Sequence, residues 1–224
     1  MNTTRLKLPG INDYFTMEAY NVLRTNIQFS RQDVKVIALT SCGMNEGKTV
    51  LSLHIGRSLA ELGKRVLVID ADMRKSVMAG RNADAKGAKG LSEVLVGQEN
   101  LQDCIYKTQY PNLHVLFSGK YPPNPVQLLN GKYFERIVDA VRDVYDYIIV
   151  DTPPLGIVID AAVIAAKCDS AILVIGNTNV KYTQAQDVVS QLEKSGSNVL
   201  GVVLNNADNK RKGYYKKKGS YGYY

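Results

Sequence analysis

Apolar and polar positions along this chain fall into short and long blocks that alternate. Short, nearly continuous apolar runs rich in β-branched residues stand at Val34–Thr40, Arg65–Asp70, Leu113–Phe117, Tyr147–Val150, Ser170–Ile175 and Asn198–Leu204. Runs of this kind read as strands buried on both faces. The segments between them carry helical spacing. Ala19, Val22, Leu23 and Ile27 mark a helix from Thr16 to about Arg31. Further helices are expected at about Lys48–Leu62, Phe134–Tyr145, Asp160–Lys167 and Tyr182–Lys194, the first of them stopped by Gly63. Met73–Gly90 is polar and holds three glycines, which predicts a mobile loop. Pro122-Pro-Asn-Pro125 breaks the chain before a short helix.

Apolar strands alternating with helices predict an α/β fold, a parallel β-sheet with helices on both faces. Ligands of such sheets bind at the carboxyl ends of the strands. Three expected strands end in polar, chemically loaded segments: Ser41–Thr49, Asp70–Arg74 and Asp151–Pro154. The folded unit is expected to span 1–208. The remaining 209–224 is a run of Lys, Tyr, Gly and Ser, too polar to pack and expected to be disordered.

Composition narrows the class without changing this picture. The chain has 224 residues, 45% hydrophobic and 22% charged, as expected of one soluble domain with a core. It holds no apolar run of about 18 residues, and Met1–Gly10 lacks the apolar core of a signal peptide, so a cytoplasmic protein is expected. Cys42, Cys104 and Cys168 are dispersed and odd in number, which argues against a disulfide framework or a zinc site. The net charge of +7 suggests nucleic acid until it is located. Lys210, Arg211, Lys212, Lys216, Lys217 and Lys218 lie in the tail, and without them 22 basic residues face 21 acidic ones. Any electrostatic partner therefore acts on the tail.

The chemistry sits at the three strand ends. Glu46-Gly47-Lys48-Thr49 stands between a strand and a helix, the context of a phosphate-binding loop, where backbone N–H groups and the helix N-terminus face the phosphates. Lys48 would reach the β- and γ-phosphates and the Thr49 hydroxyl would bind magnesium. The strict G-x-x-x-x-G-K-[ST] pattern is not met: Cys42 holds the place of its first glycine and Gly43 lies one place later. Asp70, Asp72 and Arg74 follow one strand, and Asp151 follows another. Magnesium takes hard oxygen ligands, and phosphoryl transfer also needs a positioner for the nucleophile and a cation for transition-state charge. Lys48, Asp70, Asp72, Arg74 and Asp151 supply that set.

These motifs together resemble the bacterial tyrosine kinases of capsule and exopolysaccharide export, which share the P-loop NTPase fold. Their P-loop, their D-x-D-x-R motif and their D-x-P-P motif stand here as Ser41–Thr49, Asp70-Ala-Asp72-Met-Arg74 and Asp151-Thr-Pro-Pro154. Pro122–Pro125 resembles the family's P-N-P segment, and Tyr214, Tyr215, Tyr221, Tyr223 and Tyr224 its C-terminal tyrosine cluster. The resemblance implies an ATP- and magnesium-dependent, non-specific protein-tyrosine kinase that autophosphorylates those five tyrosines and regulates polysaccharide synthesis and export. It implies that Asp70 accepts or orients the tyrosine proton, while Asp72 and Asp151 act on magnesium with Thr49. ATP would be held by Gly43, Met44, Asn45, Glu46, Gly47, Lys48, Thr49 and Val50, with Asn205 near the adenine.

Two positions depart from the pattern. Asn45 replaces the first glycine of G-x-G-K, and asparagine tolerates left-handed backbone angles. Glu18 and Arg24 fit the E-x-x-R-x-x-R helix linked to ring assembly, but Asn21 replaces its middle arginine. The implied partners are further copies of the chain in a homo-oligomer, a separate membrane adaptor that recruits the kinase to the inner face of the membrane, and a tyrosine phosphatase. Nucleic acid is not expected. The competing readings are a positioning or partition ATPase, a non-catalytic ATP-binding regulator, and a nucleic-acid binder using its tail. The positioning ATPases carry a second lysine where Gly43 stands.

Overall fold

The computed structural model describes all residues except 1, 9, 12, 31–32, 82–86, 177–179 and 207–224. The acceptor tyrosines expected in the tail, and the tail's expected disorder, lie outside the described residues. The elements run β1 (Asn2–Thr3), α1 (Tyr14–Ser30), β2 (Val36–Ser41), α2 (Lys48–Ala60), β3 (Val66–Asp70), α3 (Val77–Arg81), α4 (Leu91–Leu95), α5 (Leu101–Cys104), β4 (Ile105–Lys107), β5 (Leu113–Leu116), α6 (Pro125–Asn130), α7 (Lys132–Arg142), β6 (Tyr147–Asp151), α8 (Asp160–Ala165), β7 (Ser170–Ile175), α9 (Tyr182–Lys194) and β8 (Val199–Leu204).

The described strands form one sheet in the order β1-β4-β5-β3-β6-β2-β7-β8. Every pair is parallel except β4 with β5. Alternation along each central strand decides which helix layer a side chain meets. Ile37, Leu39, Val66 and Val68 join the cluster built with α1 and α2. Val36, Leu67, Ile69, Ile148 and Val150 join the cluster with α4, α6, α7 and α8. On α7, Phe134, Ile137, Val138 and Val141 form a buried stripe at helical spacing. A smaller third cluster sets α8 and α9 against Ala38, Ala171 and Leu173.

Three expectations change. The segment from Met73 to Gly90 is not all loop, because Val77–Arg81 makes a short helix whose Met78 is fully buried. Burial of that one apolar side chain outweighs the glycine content. The sheet is not wholly parallel, since the short β4 turns back on β5. Its cover is also incomplete: Val202 and Leu204 on the edge strand β8 remain 50% and 68% exposed. Among the described residues, no helix is long and apolar enough to cross a membrane.

Candidate active site

Strands β2, β3 and β6 are neighbours in the sheet, so their carboxyl ends bring the three polar segments together. The β2–α2 loop uses two left-handed residues, Asn45 at φ 62° and Gly47 at φ 84°. Asparagine is among the side chains that tolerate this region, which is how the loop keeps its path without the glycine. At Gly47 a side chain is also excluded by space, because a Cβ there would stand 2.0 Å from the Asn205 amide nitrogen. Glu46 is buried and closes the loop: its Oε1 accepts the Gly43 N–H at 2.9 Å. Burial raises the pKa of Glu46 against the opposing pull of its backbone donors. Asn205 donates to the Glu46 carbonyl at 2.9 Å, so the end of β8 is tied to the loop.

Helix α2 starts directly behind this loop. Its N-cap, Gly47, offers no side-chain hydrogen bond, and the first backbone bond returned to it comes from Leu51 N–H. The preceding N–H groups are left for an anion, and the helix dipole favours one there. The residues therefore fit a nucleotide's phosphates.

The side chains around this point are buried and charged. Lys48 Nζ lies 3.9 Å from Asp72 Oδ2. Asp151 accepts a hydrogen bond from Ser52 Oγ at 3.2 Å. Burial lifts its pKa to about 6 against the opposing charge of Lys48. Asp70 is 1% exposed. Its Oδ1 accepts the Asp72 N–H at 3.2 Å and its Oδ2 the Ser76 hydroxyl at 2.5 Å. Burial first, and then the charge of Asp151, push its pKa up to about 8. Arg74 makes a two-pronged bond to the buried Asp160 at the start of α8, Nε to Oδ2 at 2.7 Å and Nη2 to Oδ1 at 3.1 Å.

Among the described residues no three His, Cys, Asp or Glu side chains converge into a metal cluster. A magnesium site of the phosphate-transfer kind does not require one, since it takes one or two carboxylates and fills the rest with phosphate oxygens and water. The Thr49 hydroxyl and the carboxylates of Asp151 and Asp72 are hard oxygen donors and fit that ion.

The structure thus gathers Lys48, Thr49, Asp70, Asp72, Arg74 and Asp151 and sets Asn205 against the loop. Asp72 lines the open cleft here, whereas Asp70 does not. Glu18 is exposed on α1. Arg24, expected at an assembly interface, is turned inward: its Nη1 donates to Ser58 Oγ at 3.0 Å and to the Ser58 carbonyl at 3.3 Å, joining α1 to α2. Asn21 donates to Glu18 at 3.3 Å.

Sequence reading missed Ser52, Ser76 and Asp160. Ser52 lies one turn beyond Thr49 on the same helix face, a spacing that could have revealed it. Asp160 looks like an ordinary first-turn helix acid. Its partner is 86 residues away, so no local signal marks it.

Comparison with known proteins agrees with this geometry. The family model described as an AAA domain matches residues 34–194. The tyrosine-protein kinase CpsD of Streptococcus agalactiae is 44% identical over 207 residues, covering 92% of this chain and 90% of that protein. Among solved structures, the chimerical protein CapA2B2 superimposes with a TM-score of 0.80 at 28% identity, covering 90% of this chain and 95% of that one. The kinase domain of the Escherichia coli tyrosine kinase ETK gives 0.79 at 29% identity, covering 92% and 80%.

Proposed function

The chain belongs to the bacterial tyrosine kinase family, with its P-loop NTPase fold, and from that premise we propose that it transfers the γ-phosphate of ATP to tyrosines of its own C-terminal segment. The observation that carries this reading is the buried cluster in which Lys48, Asp72 and Asp151 meet behind an uncapped helix N-terminus.

In the proposed reaction the phenolic oxygen forms a bond to the γ-phosphorus. The bond from that phosphorus to the β–γ bridging oxygen breaks, ADP leaves, and the phenolic proton passes to Asp70. A carboxylate whose proton affinity burial has raised is suited to that task. Lys48 holds phosphate oxygens, and Arg74 is aimed by Asp160 to meet charge on the migrating group. Thr49, Asp72 and Asp151 would hold magnesium, which supplies positive charge against the phosphate oxygens.

The division into a kinase domain, 1–208, and an acceptor tail, 209–224, belongs to this reading. So do Tyr214, Tyr215, Tyr221, Tyr223 and Tyr224 as acceptors. So do a homo-oligomer, a separate membrane adaptor that recruits it to the membrane's inner face, an opposing tyrosine phosphatase and a role in polysaccharide export.

The test is to incubate purified protein with labelled ATP and magnesium and to map phosphotyrosine by mass spectrometry. Label on the five tail tyrosines supports the reading. ATP hydrolysis without any phosphotyrosine refutes it and favours a positioning-type ATPase.

A further inference from the structure

The end of the molecule opposite the nucleotide loop is built from the last turns of α1 and α2 and the amino ends of the strands that follow them. The two helices run side by side in the same direction. The Tyr20 and His54 rings meet with centroids 4.9 Å apart, and one turn further Arg24 Nη1 donates to Ser58 Oγ at 3.0 Å. Both contacts join residues 34 apart, so one more turn sets Gln28 beside Leu62. Phe29 and Leu62 therefore stand together where the helix pair ends, 84% and 49% exposed.

Outside the tail the charges of the chain nearly cancel, yet they are not spread evenly. Lys64 and Arg65 follow Leu62 directly, Lys107 ends β4 at the same edge of the sheet, and Arg5 closely follows β1; all four are exposed. Several acids on this edge are already paired. Arg57 Nε bonds Glu61 Oε1 at 2.8 Å, Arg65 Nε lies 3.8 Å from Asp146 Oδ2, and Asp169 accepts from Arg142 and from the Lys35 and Val36 N–H groups. Asp33 and Asp143 are exposed nearby. The positive field also reaches inward: burial, and then the charge of Lys107, lower the pKa of His114. A lone exposed apolar side chain is ordinary, but two together in a basic surround have the composition of a surface that meets a bilayer. There apolar tips enter the headgroup layer and lysine and arginine meet lipid phosphates.

We propose that this end of the molecule docks on an anionic lipid bilayer, with Phe29 and Leu62 entering the headgroup layer and Lys64, Arg65, Lys107 and Arg5 against lipid phosphates. The inference goes beyond the kinase reading and does not depend on it. A membrane adaptor would bring the chain to the membrane without fixing which way it points. Direct docking fixes it. The parallel strands then run away from the bilayer and carry Lys48, Asp72 and Asp151 to the far edge, open to acceptors in solution. Basic residues near the ends of α1 and α2 also offset the helix dipoles. That role alone predicts no binding to vesicles, and the exposed Phe29 has no part in it.

The chain holds no tryptophan, so Phe29→Trp in the full chain is a single reporter at this surface. Vesicles of phosphatidylglycerol and phosphatidylcholine should move its emission to shorter wavelength, and brominated acyl chains should quench it. Pure phosphatidylcholine should do neither, and binding should weaken as salt is added. Lys64→Gln together with Lys107→Gln should lower the affinity for the anionic vesicles, read by co-sedimentation, about 25-fold, at about five-fold for each lysine near such a surface. The basic tail is present in every variant. Binding that is equal with and without the two lysines, and that leaves the reporter's emission unmoved, assigns the contact to the tail and overturns the proposal. A reporter shift that grows with protein concentration in the absence of lipid assigns Phe29 to a second copy of the chain and overturns it too. So does a full chain that does not sediment with anionic vesicles. None of these readouts uses ATP, so a failure of the kinase reading is told apart by its own phosphotyrosine map.

Discussion

The phosphate loop and the carboxylate edge meet in one cleft, but they are held by different means. The loop takes its path mainly from its own backbone, with two left-handed residues and a Glu46 that bonds three residues back to Gly43, while Asn205 braces it from 159 residues away. The carboxylate edge is held largely by partners from afar. Asp151 accepts from Ser52, 99 residues away, and Arg74 donates to Asp160, 86 residues away. A backbone-built site keeps its geometry through most side-chain changes. A side-chain-built site fails one contact at a time. The two halves should therefore respond differently to substitution.

The largest effect is expected within the loop's own chemistry. Lys48→Met removes the cation beside Asp72 and should lower phosphotyrosine formation by at least about 100-fold, with the fold intact by circular dichroism. Unchanged labelling would contradict the placement of the phosphates.

On the carboxylate side, Asp160→Asn should let Arg74 swing while the nucleotide loop stays formed. The expected outcome is a fall in kcat of about 10-fold with the KM for ATP little changed. Loss of one arm of a charge-assisted bond should also cost about 1.5–3 kcal/mol of stability. Equal damage to kcat and to ATP binding would show that the two halves are not separable.

A third prediction concerns pH. In the folded chain without divalent cation, Asp70 and Asp151 titrate at about 8 and about 6, both above the ordinary 3.8. Between about pH 4 and pH 8 the folded state therefore holds protons that the unfolded state has released. Stability from these groups is fully present below that window and falls as pH rises through it. Thermal melts in EDTA from pH 5 to pH 8 should show the melting temperature dropping as the pH rises. Asp70→Asn should flatten the upper half of that slope. A melting temperature that rises steadily with pH would contradict the burial of this pair.

The smallest effect is expected at Ser76. Its hydroxyl pulls the Asp70 pKa down against burial, so Ser76→Ala should raise it further. The ascending limb of the kcat/KM profile should move to higher pH, with a loss of a few-fold at neutral pH. An unmoved limb would take Asp70 out of the proton-accepting role.

The same contrast explains what could be read from the amino acids alone. β7 and α9 have the expected limits, and the central strands differ by a residue or two, because continuous apolar runs bounded by polar turns leave little choice. The short β1 and β4 and the helices α4 and α5 were not foreseen. Elements of two to five residues depend on where the rest of the sheet places them, and carry no period of their own. Within the site, Asp70 and Asp151 were legible because they close strands, Asp72 because it follows one, and Lys48 because it opens the helix behind the polar loop. Asp160 and Ser76 were not, because their meaning lies in a contact rather than a position. Arg24 likewise makes a contact that no local spacing marks, its Nη1 donating to Ser58, 34 residues along the chain.

The sheet order carries a consequence for how the molecule is made. The strand leading into the nucleotide loop, β2, lies between β6 and β7, both more than 100 residues further along the chain. A chain emerging from the ribosome holds β2 early but cannot flank it until residue 175 has left the exit tunnel. Contacts this distant in sequence are slow to close, and the apolar strand waits exposed in the meantime. The nucleotide pocket should thus be among the last parts to form during synthesis.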